Sequence, residues 1–185
     1  MGFALAEGLA QCGARVLLVS GPVSLKPIHS HIEYYPVQTA REMYDRCKTI
    51  FKSADGAILS AAVADYRPKS PVTHKVKRTP GNWMVELEPN PDIAAELGTM
   101  KKANQFLAGF ALETGNEIAH AEEKLRKKNF DFIVLNSLRD EGSGFNSDTN
   151  KITIIGKNNK KTYFELKPKQ DVAMDIIHYL DQLLP

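Results

Sequence analysis

The stretch that decides the fold is Met1–Pro22, "MGFALAEGLAQCGARVLLVSGP". Its first half sets Phe3, Leu5, Leu9 and Ala10 on one helical face, and Gly13 supplies the stop. From Arg15 the period changes. "RVLLVSGP" is a continuous apolar run, the pattern of a strand in a parallel sheet covered on both faces. The segment lacks the basic flank and cleavage site of a secretory leader. It reads as the first helix of an α/β unit whose preceding strand is absent, so the chain is expected to begin inside a domain.

The alternation continues outward. "IEYYPV" (Ile32–Val37) is a shorter strand. Thr39 and Glu42 form a capping box for a helix facing inward with Met43, Cys47, Ile50, Phe51 and Ala54. "GAILSAAVAD" is a strand too apolar for an edge, and "WMVELEP" (Trp83–Pro89) alternates like a half-exposed strand. In "NPDIAAEL", Asn90 suits an N-cap, Pro91 the first helical position and Asp92 the helix dipole. "QFLAGFAL" and "FDFIVLNSL" are buried strands. Between them Thr114 and Glu117 make a second capping box, for a helix with Ile118, Ala121 and Leu125 inward. "KITIIGKNNKKTYFELK" predicts a hairpin turning at Asn158 and Asn159. A closing helix from about Asp171 carries Val172, Ile176, Leu180 and Leu183.

Strands alternating with helices predict one α/β domain over residues 1–185. Its sheet is Rossmann-like, doubly wound and mostly parallel, with a C-terminal hairpin and a closing helix. The one long irregular excursion is Pro68–Pro80, within "SAAVADYRPKSPVTHKVKR". There two prolines forbid a helix and Lys75, Lys77 and Arg78 crowd together. Loops of that length are functional or disordered.

With 185 residues, 43% hydrophobic and 25% charged, the chain has the composition of a soluble globular domain with a full core. A net charge of +2 argues against a general nucleic-acid or membrane-surface binder. No apolar run approaches the roughly 18 residues that span a bilayer. Cys12 and Cys47 read as reduced core thiols of a cytoplasmic protein. The histidines, His29 and His31 included, have no zinc spacing.

In open α/β sheets, ligands bind beyond the carboxyl ends of the strands. The polar residues expected on that rim are Ser20, Gly21, Asp65, Tyr66, Asn90, Asp92, Glu113, Thr114 and Asn136. Two helix starts, at Pro91 and Thr114, would offer N–H groups to an anion. Lys124 and Lys128 share a helical face, and Lys75 and Lys77 stand two apart in the proline-rich loop. Four converging cations suit a polyphosphate, leaving Asp65 or Asp92 for a divalent cation. Neither G-x-G-x-x-G nor G-x-x-x-x-G-K-[ST] is present. Each feature has a plainer reading: "KLRKK" as a solvated helix end, Asp92 as helix-start chemistry, Phe110 as core, Asp65 as a cap. Residues alone lead to an α/β domain for a phosphorylated or nucleotide ligand.

Together, "MGFALAEGLAQCGARVLLVSGPVSL", "SAAVADYRP", "NPDI", "GFALET", "KLRKKNFDFIVLN" and "GFNSDTN" resemble phosphopantothenoylcysteine synthetase. This family is also called phosphopantothenate–cysteine ligase. It stands alone or forms the C-terminal half of the bifunctional bacterial flavoprotein of coenzyme A biosynthesis. The resemblance runs through nearly the whole chain in order. It implies activation of the 4'-phosphopantothenate carboxylate by CTP as an acyl-cytidylate, with release of pyrophosphate. The cysteine amine then displaces CMP.

By motif, the resemblance implies that Leu59, Ser60 and Ala61 contact CTP through backbone and that Asp65 lies beside it. Lys75 is the catalytic lysine of a flap at about 68–80. Pro91, Asp92, Ile93 and Ala94 form a further CTP-binding run, with Asp92 on Mg2+. Phe110 packs on the nucleotide, and Lys124 and Lys128 bind it. A homodimer, and fusion to or association with a flavin-dependent decarboxylase, are also implied, with no FMN on this domain. Two departures stand out. His74 takes the place of the acid that precedes the flap lysine. Of the upstream "SNxSSGxMG" segment only Met1 and Gly2 are present. The alternative expectations are a truncated, inactive nucleotide-binding or interaction module of the same fold, and a Rossmann-type oxidoreductase. The missing dinucleotide fingerprint disfavours the second.

Overall fold

The computed structural model describes residues 1–78, 80–113, 116–137 and 148–184, with backbone only for Glu113 and Ser137. Helix α1 (Gly2–Gln11) ends as its sequence predicts. Gly13 adopts φ 93°, the Ala14 N–H reaches Leu9 O and the Gly13 N–H reaches Ala10 O, each at 3.0 Å. This is a Schellman stop, which a residue with a Cβ would strain. The face that α1 buries carries Leu5, Ala6, Gly8 and Ala10, whereas Phe3 and Leu9 are only half-buried.

Strands β1 (Val16–Ser20) and β2 (Ile32–Pro36) pair in parallel, Val16 opposite Ile32. Helix α2 (Ala40–Phe51) has the expected capping box. Thr39 Oγ1 accepts the Glu42 N–H at 3.1 Å, while the Glu42 carboxylate takes the Gln38 N–H at 2.9 Å, one residue beyond the cap. The remaining elements are β3 (Gly56–Leu59), β4 (Tyr66–Pro68), β5 (Leu87–Pro89), α3 (Ile93–Met100), β6 (Phe106–Glu113), α4 (Glu117–Lys127), β7 (Phe132–Ser137), β8 (Thr149–Gly156), β9 (Lys161–Pro168) and α5 (Lys169–Asp181).

The main sheet has the order β3-β6-β7-β8-β9. Its first three strands are parallel, and the last two form the expected antiparallel hairpin. Asn159 turns that hairpin at φ 59°, a conformation asparagine tolerates better than most residues. Both faces are covered, which explains the unbroken apolar runs. On one face Phe51, Leu97, Leu107, Leu125 and Ile133 pack under α2, α3 and α4. On the other, Leu5, Phe132, Val134, Ile152, Ile154 and Ile176 pack under α1 and α5. This is the doubly wound, Rossmann-like architecture predicted.

The β1–β2 pair is separate from the main sheet. A cleft of about 1270 Å³ lies between, lined by Val16–Val19 on one side and Gly56–Ala61 on the other. Strand β3, expected to be internal, has β6 as its one partner among the described residues, and its far edge borders the cleft. The strand also stops at Leu59; residues 60–64 leave the sheet.

Other expectations are corrected. Cys12 is exposed, because the C-cap position lies past the buried face of α1; Cys47 is half-buried. Burial among apolar groups pushes the Cys47 thiol up to about 11. Ile118 and Leu183 are exposed: Ile118 sits in the first turn of α4, whose buried residues are Ala121 and Leu125, and Leu183 lies past the end of α5. The alternating "WMVELEP" yields a strand only at Leu87–Pro89, while Trp83, Met84 and Val85 face solvent. Helix α4 is entered through Asn116 at φ 49°. Thr114, and with it the proposed second capping box, lies outside the described residues. Among those described, no helix is long and apolar enough to cross a membrane, and no three His, Cys, Asp or Glu residues cluster as a metal site.

Candidate functional site

The carboxyl end of β3, Phe110 of β6, the amino end of α3, and Lys124 and Lys128 from the end of α4 border the cleft. Asn90 fixes the first junction. Its Nδ2 donates to Ala64 O at 2.8 Å and its N–H to Asp65 O at 2.8 Å. Arg67 donates to Asn90 Oδ1 at 3.1 Å and to Pro89 O at 3.0 Å. The segment leaving β3 is thus tied to the entry of α3.

This tie moves the start of α3. Asn90 is held by distant groups, so it does not cap, and Pro91 precedes the helix. Asp92 is the N-cap, its Oδ1 accepting the Ala95 N–H at 2.9 Å. The helix begins at Ile93, two residues later than the sequence suggests. Its amino end lines the cavity, where the helix dipole favours an anion, with the N–H groups of Ala94 and Ala95 already given to the Asp92 carboxylate.

The second junction is between α3 and α4. A Cβ on Gly98 would lie 2.2 Å from Lys128 O, so only glycine lets the end of α4 press on α3. Asn129, in the left-handed region at φ 52°, donates from Nδ2 to Gly98 O at 2.9 Å. Lys128 is the C-cap of α4, not part of its body. The close approach delivers its ammonium to Asp92 Oδ2 as an ion pair. Burial pushes the Asp92 carboxyl up, but Lys128 and the N–H groups of Ala95 and Ala94 outweigh it, and the net shift is downward.

Leu59, Ser60, Ala61, Asp65, Pro91, Asp92, Ile93, Ala94, Phe110, Lys124 and Lys128 all line this one cavity. They come from segments far apart in sequence. Phe110 combines its plainer and sharper readings: half-buried, it packs on the α1–α5 core and faces the cavity. Tyr66 and Asn136 lie on the same rim but outside the lining, as do Ser20 and Gly21. Of Glu113 only the backbone is described.

Lys75 stands apart. Strands β4 and β5 form an antiparallel arm from Tyr66 to Pro89, broader than the expected flap. Arg67–Glu88 and Lys69–Glu86 ion pairs, each 2.7 Å, cross its base. Lys75 is exposed near the tip and does not line the cavity. The sequence did not single out Arg67, Gly98 or Asn129. Their roles depend on partners more than 20 residues away, and only an isolated glycine in a helical pattern hinted at one of them.

A helix start, two lysines and an aromatic ring lining one cavity of an α/β domain form an arrangement that suits an anionic, phosphorylated ligand. Residues 1–184 match the family described as DNA/pantothenate metabolism flavoprotein C-terminal domain, and the chain belongs to that family. It is 42% identical over 183 residues to the "Coenzyme A biosynthesis bifunctional protein CoaBC" of Bacillus subtilis, covering 99% of this chain and 45% of that protein. It is 52% identical over 177 residues to a "Cysteine/Cysteine sulfinic acid decarboxylase" of an unknown prokaryotic organism, covering 96% of this chain and 49% of that protein. The chain therefore spans about half the length of these relatives. A crystal structure of the C-terminal domain of CoaBC superimposes with a TM-score of 0.80 at 36% identity, covering 98% of this chain and 82% of that one.

Proposed function

We propose that this domain ligates 4'-phosphopantothenate to cysteine at the expense of CTP, through an acyl-cytidylate, in coenzyme A biosynthesis. The observation that carries the reading is the convergence of Leu59–Ala61, Asp65, Pro91–Ala94, Phe110, Lys124 and Lys128 on one cavity. The family membership supports the reaction class.

In this reading the chain acts by positioning and by electrostatics. The dipole of α3 at its amino end, with Lys124 and Lys128, holds the triphosphate. Phe110 and the backbone of Leu59–Ala61 hold the nucleoside. Lys75 reaches the phosphates when the arm folds over the cavity and excludes water. Asp92 offers a single carboxylate, already engaged by Lys128 and Ala95. That fits a Mg2+ carried mainly by phosphate oxygens, not an ion caged by protein. Such an ion would neutralise phosphate charge. We further propose a homodimer in the cytoplasm, joined to or associated with a flavin-dependent decarboxylase.

The test is pyrophosphate release by the intact protein with Mg2+, 4'-phosphopantothenate and either CTP or ATP, before and after adding cysteine. Release that needs phosphopantothenate and precedes cysteine supports the acyl-nucleotide. Release only with ATP rejects the choice of CTP, and no release with either nucleotide rejects the ligase.

A further inference from the structure

The arm is built in two parts. Its tip, residues 70–85, contains no strand among the described residues, and Val72, Trp83, Met84 and Val85 are exposed there. Its base is held. Strands β4 and β5 pair at three positions, Tyr66 opposite Pro89, Arg67 opposite Glu88 and Pro68 opposite Leu87. The Lys69 N–H donates to Glu86 O at 3.0 Å, beside the ion pair between their side chains at 2.7 Å. A two-stranded pairing on its own is marginal in water, so the ladder alone does not account for a fixed base.

Arg67 supplies what the ladder lacks. From β4 its half-buried guanidinium reaches three successive residues across the arm. Nη2 pairs with Glu88 Oε1 at 2.7 Å, and Nη1 donates to Pro89 O at 3.0 Å and to Asn90 Oδ1 at 3.1 Å. Asn90 passes the tie back, its Nδ2 donating to Ala64 O and its N–H to Asp65 O, each at 2.8 Å. The bonds close a ring between residues 64–67 and 88–90. Holding three acceptors at fixed angles suits a planar fork of donors; a lysine ammonium, a point charge on a flexible stem, lacks that geometry. The ring stands between arm and cavity, since Asp65 and Asn90 line the cavity and Asp92 caps α3 two residues on.

A swing about the base would break this ring together with the ladder, whereas a swing of the tip breaks neither. We propose that Arg67 is the positioning residue of the arm: it locks the base to the entry of α3, confines closure to residues 70–85, and so sets the path by which Lys75 reaches the cavity. The role of Lys75 rests on the ligase reading; the fixed base does not. From Lys69 to Lys75 the chain extends at most about 20 Å, so a fixed base bounds where that ammonium can go. Without the ring Lys75 keeps its charge but samples more positions, which slows a step that depends on its placement.

The experiment compares Arg67→Ala, Arg67→Lys, Lys75→Gln and the Arg67→Ala/Lys75→Gln double variant of the intact protein. Hydrogen exchange along the arm is measured with and without CTP, Mg2+ and 4'-phosphopantothenate, beside thermal midpoint, CTP affinity and single-turnover pyrophosphate release. In wild type the Lys69 and Asn90 amides should be protected with or without ligands, and residues 70–85 only with them. Arg67→Ala should speed exchange at the base and slow pyrophosphate release, each about tenfold, the loss of a charge-assisted hydrogen bond, with CTP affinity nearly unchanged. Arg67→Lys keeps the charge and should not restore the rate. In the Lys75→Gln background, Arg67→Ala should slow release little further, since one residue acts through the other. Base protection that appears only with ligands would overturn the proposal, as would equal slowing by Arg67→Ala in both backgrounds. A lowered thermal midpoint with full release rate would reduce Arg67 to a structural clip. If the wild type releases no pyrophosphate with CTP or ATP, yet CTP protects the tip above a fixed, Arg67-dependent base, the ligase reading falls and the clamp stands.

Discussion

Lys128, at the end of α4, forms an ion pair with Asp92, the residue that caps α3. One carboxylate therefore serves both the helix start and the cation that faces the cavity. The two roles separate by substitution. Asp92→Asn keeps a competent cap but removes the charge, whereas Asp92→Ala removes both. Asp92→Asn should leave thermal stability nearly unchanged yet weaken CTP binding at limiting Mg2+. Asp92→Ala should also cost about 1 kcal/mol of stability. Equal CTP affinity in wild type and Asp92→Asn across a Mg2+ titration would reduce Asp92 to helix-start chemistry.

The same pair sets a pH dependence. Asp92 has its folded pKa held below the ordinary 3.8. A carboxyl depressed in the folded state stabilises the fold above its unfolded pKa and loses that contribution as pH falls through the folded value. With Asp92 half-exposed, the effect is small. Acid unfolding below about pH 4 should be less steep in Asp92→Asn than in wild type, with the two curves parallel above it. Curves parallel through the acid range would mean that the pair contributes nothing.

Lys75, exposed on the arm, has a role only if the arm closes. Lys75→Gln should slow acyl-cytidylate formation more than it weakens CTP binding. One charge-assisted hydrogen bond made on closure corresponds to about 2–4 kcal/mol of barrier, roughly 30- to 1,000-fold. Single-turnover pyrophosphate release beside a CTP titration measures both quantities. A full single-turnover rate in the variant would leave the basic arm without this function.

Local patterning sufficed for the order of helices and strands, because the change from helical to strand period marks where one element gives way to the next, although not always its exact boundary. It was also enough for the hairpin turn at Asn159 and the stop at Gly13. It misplaced the start of α3 because Asn90 and Asp92 are equally good caps in isolation. The choice falls to Ala64 and Arg67, which hold Asn90 elsewhere. "WMVELEP" alternates like a strand against a core, yet it belongs to an arm with no core beneath it. The expected site residues other than Lys75 line one cavity, but the Lys128–Asp92 and Asn150–Asn136 pairs depend on tertiary approach that no local pattern carries.

The two thiols should differ sharply in reactivity. Cys12 is exposed, whereas the Cys47 thiol is half-buried and pushed up to about 11, so almost none of Cys47 is thiolate near neutral pH. Brief iodoacetamide treatment of the native protein should add one adduct, on Cys12, and a second only after unfolding. Mass spectrometry of peptides reads this directly. Native labelling of Cys47 at a rate like that of Cys12 would contradict the packing of α2.

Gly98 tests how far the site depends on the contact between α3 and α4. A methyl there would meet the Lys128 carbonyl oxygen at 2.2 Å and its carbonyl carbon at 2.9 Å. Both belong to backbone, so the end of α4 must move. Gly98→Ala also brings a better helix former, a gain of up to about 1 kcal/mol, whereas overpacking costs about 1–3 kcal/mol. The overpacking should win, giving net destabilisation. The shift should also draw Lys128 away from Asp92 and weaken CTP binding beyond any effect of stability alone. Gly21→Ala is the control, since nothing lies within 4 Å of a Cβ there and no positive φ is imposed. Thermal melts and CTP titrations of both variants decide the matter. A Gly98→Ala protein as stable as wild type, with full CTP affinity, would mean that α4 reaches its place without this contact.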